Sequence, residues 1–131
     1  MDAVSFQPGS GAQSIFLNTS MMRAYHEKNK DPSRKEIITT MFSHPTNAAC
    51  PATAGYDVLT LMPEENGLPS LEALKEMVSE NTAGLLITNP EDTGIFNPKI
   101  KEFVDTVHNA GGLCIYDQAN ANGILGKFRA R

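Results

Sequence analysis

An α/β fold, with a mainly parallel sheet covered by helices on both faces, is what this sequence predicts, and three observations lead there. Short apolar runs alternate with longer stretches of helical pattern. The runs are nearly continuously apolar, as strands buried on both faces are. Polar residues gather just after several of the runs, where open α/β sheets place their ligands.

Taken in order, Ala12 to about Asn29 holds no Gly or Pro, and Ile15, Phe16, Leu17, Met21, Met22, Ala24 and Tyr25 fall on most sides of the wheel. A well-buried helix is expected there, ending before Asp31-Pro32. Glu36 to Phe42 and Tyr56 to Met62 are short, rich in β-branched or apolar residues and flanked by breakers, so both read as strands. Glu64-Glu65-Asn66-Gly67 is a turn. Pro69-Ser70 then opens a helix that Ser70 caps, with Leu71, Leu74, Met77 and Val78 on one face. Ala83 to Thr88 reads as a buried strand. Asn97-Pro98 gives an N-cap with Pro at the first helical position, and Ile100, Phe103, Val104, Val107 and Ala110 mark the face of a helix stopped by Gly111-Gly112. Leu113 to Asp117 is the last strand. The resulting order is helix, strand, strand, helix, strand, helix, strand, with no internal repeat or low-complexity tract.

The 131 residues suit one α/β domain with one core, spanning 1–131. With 11 Lys+Arg against 15 Asp+Glu the net charge is −4 and no basic run interrupts it, which argues against nucleic-acid binding. No stretch approaches the ~18 to 20 consecutive apolar residues of a membrane helix. The start, Met1-Asp2-Ala3-Val4, lacks a signal peptide's basic-then-apolar layout, so no membrane and a cytoplasmic setting are expected. Cys50 and Cys114 form neither a disulfide framework nor a spaced metal site, and Cys114 lies in an apolar run as a buried thiol would.

Three features after the strands and before the first helix could carry chemistry. Pro8-Gly9-Ser10-Gly11-Ala12-Gln13 places small residues at a helix start, where free N–H groups and the positive end of the helix dipole attract an anion; a plain helix start capped by Ser10 or Gly11 is the alternative. It is neither a Walker loop nor a dinucleotide fingerprint, since Gly-Lys-Ser/Thr and a third glycine are both missing. Asp117 ends an apolar strand, so its ionised carboxylate needs donors or a cationic partner such as a protonated heterocyclic nitrogen; alternatively it caps the next turn through the Asn120 or Asn122 amides. His44 can act as a base, a ligand or a flat stacking surface, and no Cys/His/Asp spacing around it favours a metal. No G-x-S-x-G elbow supports a serine hydrolase. Together, a phosphate cradle, an imidazole after one strand and an aspartate ending another are pieces of a pyridoxal-phosphate site, where a carboxylate keeps the ring nitrogen protonated and the ring acts as an electron sink.

A wider pattern joins these pieces: Val4-Ser5-Phe6-Gln7-Pro8-Gly9-Ser10-Gly11-Ala12-Gln13, then Arg23-Ala24-Tyr25-His26-Glu27, His44-x-Thr46-Asn47, Leu86-Ile87-Thr88-Asn89-Pro90 and Tyr116-Asp117-Gln118-Ala119-Asn120-Ala121-Asn122. This series resembles the glycine decarboxylases, or P-proteins, of the glycine cleavage system, most closely subunit 2 of the two-subunit bacterial type. The resemblance implies a fold-type-I pyridoxal-phosphate large domain and a parent enzyme that decarboxylates glycine and passes the aminomethyl group to the lipoyl arm of the H-protein, in company with subunit 1. It implies that Ser10, Gly11 and Ala12 bind the cofactor phosphate, His44 stacks on the ring, Asp117 pairs with the pyridine nitrogen, Ala119 packs on the other ring face and Thr88 lies close by. Thr46, Asn47 and Asn120 would form the wall of the substrate pocket.

The family's Schiff-base lysine lies in a Leu-His-Lys-Thr segment that does not occur up to Arg131, and Lys127 stands in another context. The chain is therefore expected to be an inactive fragment of the large domain, with no catalytic residue of its own. Three departures accompany the resemblance. Pro45 stands where the family has Gly; Glu91-Asp92 follow Asn89-Pro90 and would bring negative charge toward the cofactor if they pointed inward; and Ser14-Ile15-Phe16 replace a more polar Gly-Glu-aromatic run. A non-catalytic α/β scaffold, or another fold-type-I enzyme, are the other readings.

Overall fold

The structure, a computed structural model, describes residues 3–124 and 126–127. Met1 and Asp2, which bear on the leader reading, and the side chain of Asn122 lie outside the described residues. In chain order the elements are α1 (Gly11–Lys28), β1 (Glu36–Thr40), α2 (Thr46–Thr53), β2 (Asp57–Leu61), α3 (Leu71–Met77), β3 (Thr82–Thr88), α4 (Ile100–Asn109) and β4 (Leu113–Asp117), followed by a 3₁₀ turn at Ala121–Ile124. The strands form one sheet in the order β2-β1-β3-β4, and every pairing is parallel. Parallel strands need crossovers, and here each crossover carries a helix.

Strand alternation sorts the core into two layers. Ile38, Leu61, Leu85 and Ile87 face Leu71 and Leu74 of α3 and Phe103 and Val107 of α4. Ile37, Ala83 and Leu86 face Ile15 and Met22 of α1, with Tyr56 joining them and Cys50 of α2 packed alongside. The expectation of helices on both faces is met. All seven residues of β3 are buried, whereas every residue of β4, at the edge of the sheet, keeps partial exposure. No helix among the described residues is long and apolar enough to cross a membrane.

The depth of α1 is set by a bulge at the start of β3. The β1–β3 register steps from Glu36↔Thr82 to Ile37↔Gly84, so Ala83 is the extra residue. A Cβ on Gly84 would lie 2.3 Å from the Leu113 carbonyl oxygen and 2.6 Å from the Met22 methyl group, so only glycine lets β4 and α1 come this close. The carbonyls beside the bulge find side-chain donors. Arg34 Nη1 donates to Thr82 O at 2.7 Å while its Nε pairs with Asp31 at 2.5 Å, and buried His26, at the far end of α1, meets Ala83 O through Nε2 at 2.9 Å. A carbonyl can only accept, so that His26 nitrogen carries its proton.

Several sequence expectations need correction. The first helix is not buried on most sides: Ile15, Thr19, Met22 and His26 form one inward stripe, while Phe16, Met21 and Tyr25 are 44%, 58% and 49% exposed. Apolar composition on every side does not show which sides have a layer to pack against. The helix α2 was not anticipated, since eight residues with Pro51 inside them carry almost no periodicity. Asn97 is not the N-cap of α4. That position belongs to Lys99, and Asn97 Oδ1 instead accepts the Lys99 amide at 2.9 Å, closing a turn that holds Pro98 ahead of the helix. Strands β1 and β2 end at Thr40 and Leu61, short of Phe42 and Met62. Ser70 does cap α3, accepting from the Ala73 amide. Burial among the α3/α4 layer pushes the Cys114 thiol up to about 12, consistent with an inert core cysteine.

Gly84→Ala should therefore destabilise the chain by about 1–3 kcal/mol or more, because the added methyl meets a backbone oxygen that cannot step aside. Gly123→Ala, where a Cβ meets nothing within 4 Å, should stay within about 0.5 kcal/mol. Urea titrations of the two variants check this, and equal midpoints would refute the packing role given to Gly84.

Candidate functional site

At the carboxyl end of the sheet a cavity of about 250 Å³ is lined by Gly11, Ala12, His44, Thr46, Thr88, Asp92, Asp117, Ala119 and Asn120. It thus gathers residues from the start of α1, the loop after β1, the end of β3 and the segment after β4. Of the residues singled out from the sequence, Ser10 and Asn47 alone do not line it.

The start of α1 presents backbone donors to this cavity. Ser10 is the N-cap: its Oγ accepts from the Gln13 amide at 3.2 Å, and Gln13 Oε1 reaches back to the Gly9 amide at 2.6 Å. The amides of Gly11 and Ala12, in the first turn, have no intrahelical acceptor and meet none among the described residues. Ser10 Oγ accepts as a cap and keeps its own hydroxyl proton, so the donors facing an anion are that hydroxyl and the amides of Gly11 and Ala12. An 18-residue helix places the positive end of its dipole behind them. Cys50 on α2 ties the cradle down, its thiol donating to Ala12 O at 3.3 Å.

His44 is exposed, and its ring is held by its own loop. The Thr46 amide donates to Nδ1 at 3.2 Å, and Thr46 Oγ1 lies 2.7 Å from the same nitrogen. An amide N–H can only donate, which makes Nδ1 the acceptor and leaves the proton of the neutral ring on Nε2. Pro45 sits at φ −53° and ψ −27°, helical values within proline's own range, and opens α2 without strain. The Gly-to-Pro departure is accommodated by the helix that the sequence did not reveal.

Thr88 and Asp117 are register partners at the ends of β3 and β4, on the α1 side of the sheet. Asp117 Oδ1 accepts the Ala119 amide at 3.0 Å, so the turn after β4 orients the carboxylate; among the described residues the donor is Ala119 and not Asn120, and the Asn122 alternative falls on a residue outside the full description. Asn47 is fully buried on α2 and reaches the site only through Thr88, donating from Nδ2 to Thr88 Oγ1 at 3.1 Å.

A second cavity, about 200 Å³, adjoins the first and shares Thr88, Asp92, Asp117 and Asn120 with it, adding Asn89, Glu91, Tyr116 and Gln118 among others. Its floor rests on a clasp missed in the sequence. Asn89 Oδ1 accepts the Asn97 amide at 2.8 Å, Asn89 Nδ2 donates to Asn97 O at 3.2 Å, and the Tyr116 hydroxyl donates to Asn89 O. The two acidic residues behave differently. Asp92 is exposed and lines the first cavity, whereas Glu91 is 6% exposed, and its Oε1 has no hydrogen-bond partner among the described residues. Burial holds the Glu91 carboxyl above the usual carboxylate range, with the Thr40 hydroxyl opposing and the Asp92 charge adding to the rise.

A third cavity, about 380 Å³, lies at the other end of the sheet, lined by Arg23, His26, Arg34 and Tyr56 among others. Two of its arginines serve the fold, Arg34 as described and Arg23 over the Tyr56 ring at 4.9 Å. Among the described residues no group of His, Cys, Asp and Glu could hold a metal ion.

Over 129 residues, 98% of its length, the chain is 47% identical to a probable glycine dehydrogenase (decarboxylating) subunit 2 of Pyrococcus furiosus and 43% identical to one of Bacillus cereus. It spans about a quarter, 26%, of the length of these curated relatives. No family model matches the chain. Among solved structures, a sphingosine-1-phosphate lyase of Burkholderia pseudomallei superposes with a TM-score of 0.76 at 18% identity over 89% of this chain and 26% of that one. An aspartate aminotransferase of Thermus thermophilus does so with 0.65 at 17% identity over 83% and 28%. The fold is thus a part of the one these enzymes share.

Because Glu91 has a raised folded-state value, its neutral form is favoured in the fold. The stability it allows is fully present below the unfolded value near 4.5 and is lost as pH rises through the folded value. Glu91→Gln should therefore be more stable than the parent chain at pH 7 and lose that advantage below about pH 4.5. Thermal melts across this range check the sign, and a Gln variant less stable at pH 7 would refute it.

Proposed function

From its likeness to a quarter-length segment of glycine dehydrogenase (decarboxylating) subunit 2, we propose that this chain is the cofactor-cradling part of a pyridoxal-phosphate-dependent glycine decarboxylase. The observation that carries the proposal is the convergence of free helix-start amides, an imidazole and a strand-end carboxylate on one cavity. The other relations of the parent enzyme belong to the same reading: glycine as substrate, subunit 1 and the lipoyl arm of the H-protein as partners, and a cytoplasmic setting. In it, residues 1–131 form part of a larger α/β domain.

The residues present fit the group. The Gly11 and Ala12 amides would hold its phosphate, with Ser10 fixing the helix turn that aims them. Asp117, turned by the Ala119 amide, would hold a proton on the ring nitrogen, a carboxylate beside a cation. The His44 ring, locked by Thr46, would cover one face of the ring and Ala119 the other, excluding water from both. Thr46 and Asn120 line the space beside them. Bound there, pyridoxal phosphate supplies an electron sink for the bond broken at the substrate's α-carbon. Asp92 is the exposed acid that lines the cavity beside the ring.

Two measurements test this. The chain should bind pyridoxal phosphate without a covalent link, seen as quenching of its tyrosine fluorescence, and Asp117→Ala should weaken binding by about ten- to hundredfold, the loss of one charge-assisted hydrogen bond. In a full-length parent the same substitution should abolish glycine-dependent carbon dioxide exchange. The chain by itself should show no such exchange with cofactor and glycine, and turnover would overturn its reading as a cradle only.

A further inference from the structure

The third cavity, of about 380 Å³ at the amino end of the sheet, gathers three cationic side chains, Arg23, Arg34 and Lys35, in a chain of net charge −4. The fold does not employ them equally. Arg34 is neutralised by Asp31 and gives a second donor to Thr82 O. Arg23, on α1, has Tyr56 as the only polar partner of its guanidinium among the described residues, through the ring at 4.9 Å and through the hydroxyl, and it forms no ion pair. A guanidinium carries five N–H donors and stacking engages its face, so partly buried Arg23 presents unused donors along its edge. The turn at Gly55, at φ +82°, leaves room for them, since a Cβ there would stand 3.1 Å from Arg23 Nη2. Lys35 is pinned by its backbone, its N–H donating to Asn81 O at 2.9 Å and its carbonyl accepting from the Asp57 amide at 2.8 Å, while its ammonium meets no acceptor among the described residues. Glu27, one helical turn on from Arg23, is the single acid lining the cavity among the described residues, and it pairs with none of the three cations.

We propose that this cavity is an anion site for a phosphate group, free or carried as a monoester. A dianion matches the two unpaired cations, and its several acceptor oxygens suit the planar fork of Arg23 together with the point charge of Lys35. A carboxylate brings a single charge and answers only one of the two. The cavity has the size of a small-molecule pocket, so an organic group carried by the phosphate finds space beside Pro32 and the Tyr56 ring. Glu27 opposes the anion and tempers its binding. The inference is independent of the cofactor reading, which assigns its phosphate to the Gly11 and Ala12 amides at the opposite end of α1.

An NMR titration of the isotope-labelled chain with inorganic phosphate, chloride holding the ionic strength constant, tests this. The amide resonances of Lys35, Gly55 and Tyr56 should shift together along one saturable curve. Arg23→Gln should weaken that affinity about tenfold and Lys35→Gln about threefold, whereas Glu27→Gln should strengthen it about threefold. Lys28→Gln removes the same charge from an exposed position outside the cavity and should change the affinity less than about twofold. Lys35 and Glu27 are exposed, so their variants decide the outcome even where Arg23→Gln fails to fold. Acetate should bind at least about tenfold more weakly than phosphate. Glycerol 3-phosphate separates the two sources: tighter binding than inorganic phosphate assigns a monoester, and weaker binding the free anion. Shifts that do not saturate, shifts confined to Gly11 and Ala12, equal losses from Lys28→Gln and Lys35→Gln, or acetate binding as tightly as phosphate would each overturn the proposal.

Discussion

The structure depends on how closely α1 lies against the sheet at Gly84. A helix packed over a parallel sheet is held off by the side chains between them, and here one of those side chains is missing. Met22 occupies the space, and the Leu113 carbonyl of β4 comes in from the side. Because α1 runs from the carboxyl end of the sheet, where Gly11 and Ala12 meet Thr88, to the amino end, where His26 meets Ala83, the contact near its middle sets the tilt of the whole helix. Rigid elements transmit such a constraint. A shift at Gly84 would carry the free amides of the first turn away from Asp117.

The bulge that frees this space also leaves carbonyls without strand partners, and the basic segment spanning the end of α1 satisfies them. Arg34 and His26 belong to a stretch, residues 23–35, that holds five of the chain's Lys and Arg residues. In a chain of net charge −4 such a cluster invites a reading as a ligand site, and a large cavity lies beside it. Geometry divides the cluster. Arg34 serves the fold, held by Asp31, by Thr82 O and by the turn at Gly111, where a Cβ would stand 2.8 Å from its Nη2, while Arg23 and Lys35 line the cavity without an ion pair among the described residues.

The parallel sheet, its strands and the residues gathered at their carboxyl ends were legible in the sequence for one reason. A strand such as Ala83–Thr88 or Leu113–Asp117 is bounded by a change of chemistry along the chain, and that change places Thr88 and Asp117 at the end where ligands collect. What stayed hidden depends on neighbours. Phe16, Met21 and Tyr25 look as apolar as Ile15 and Met22, and only the position of the sheet separates them. The helix α2 lacks periodicity because Pro45 and Pro51 bracket a run of small residues, and its stability comes from packing against α1. The resemblance implies a place for Asn47 in the pocket wall. The helical turn points it instead into the protein, under the site.

That displacement shows what the second layer of such a site does. The groups facing the cavity are few, and each is ambiguous alone: an imidazole has two nitrogens, a hydroxyl both donates and accepts, a carboxylate can rotate. Each is tied to a neighbour. The Thr46 amide makes Nδ1 of His44 the acceptor, the Asn47 amide holds the Thr88 hydroxyl from beneath, and the Ala119 amide orients the Asp117 carboxylate. Two of these three lie in the first turn of α2, which Pro45 opens and the Cys50 thiol ties to Ala12. A short helix with little propensity of its own is thus kept by tertiary contacts, because it holds polar side chains of the site in place.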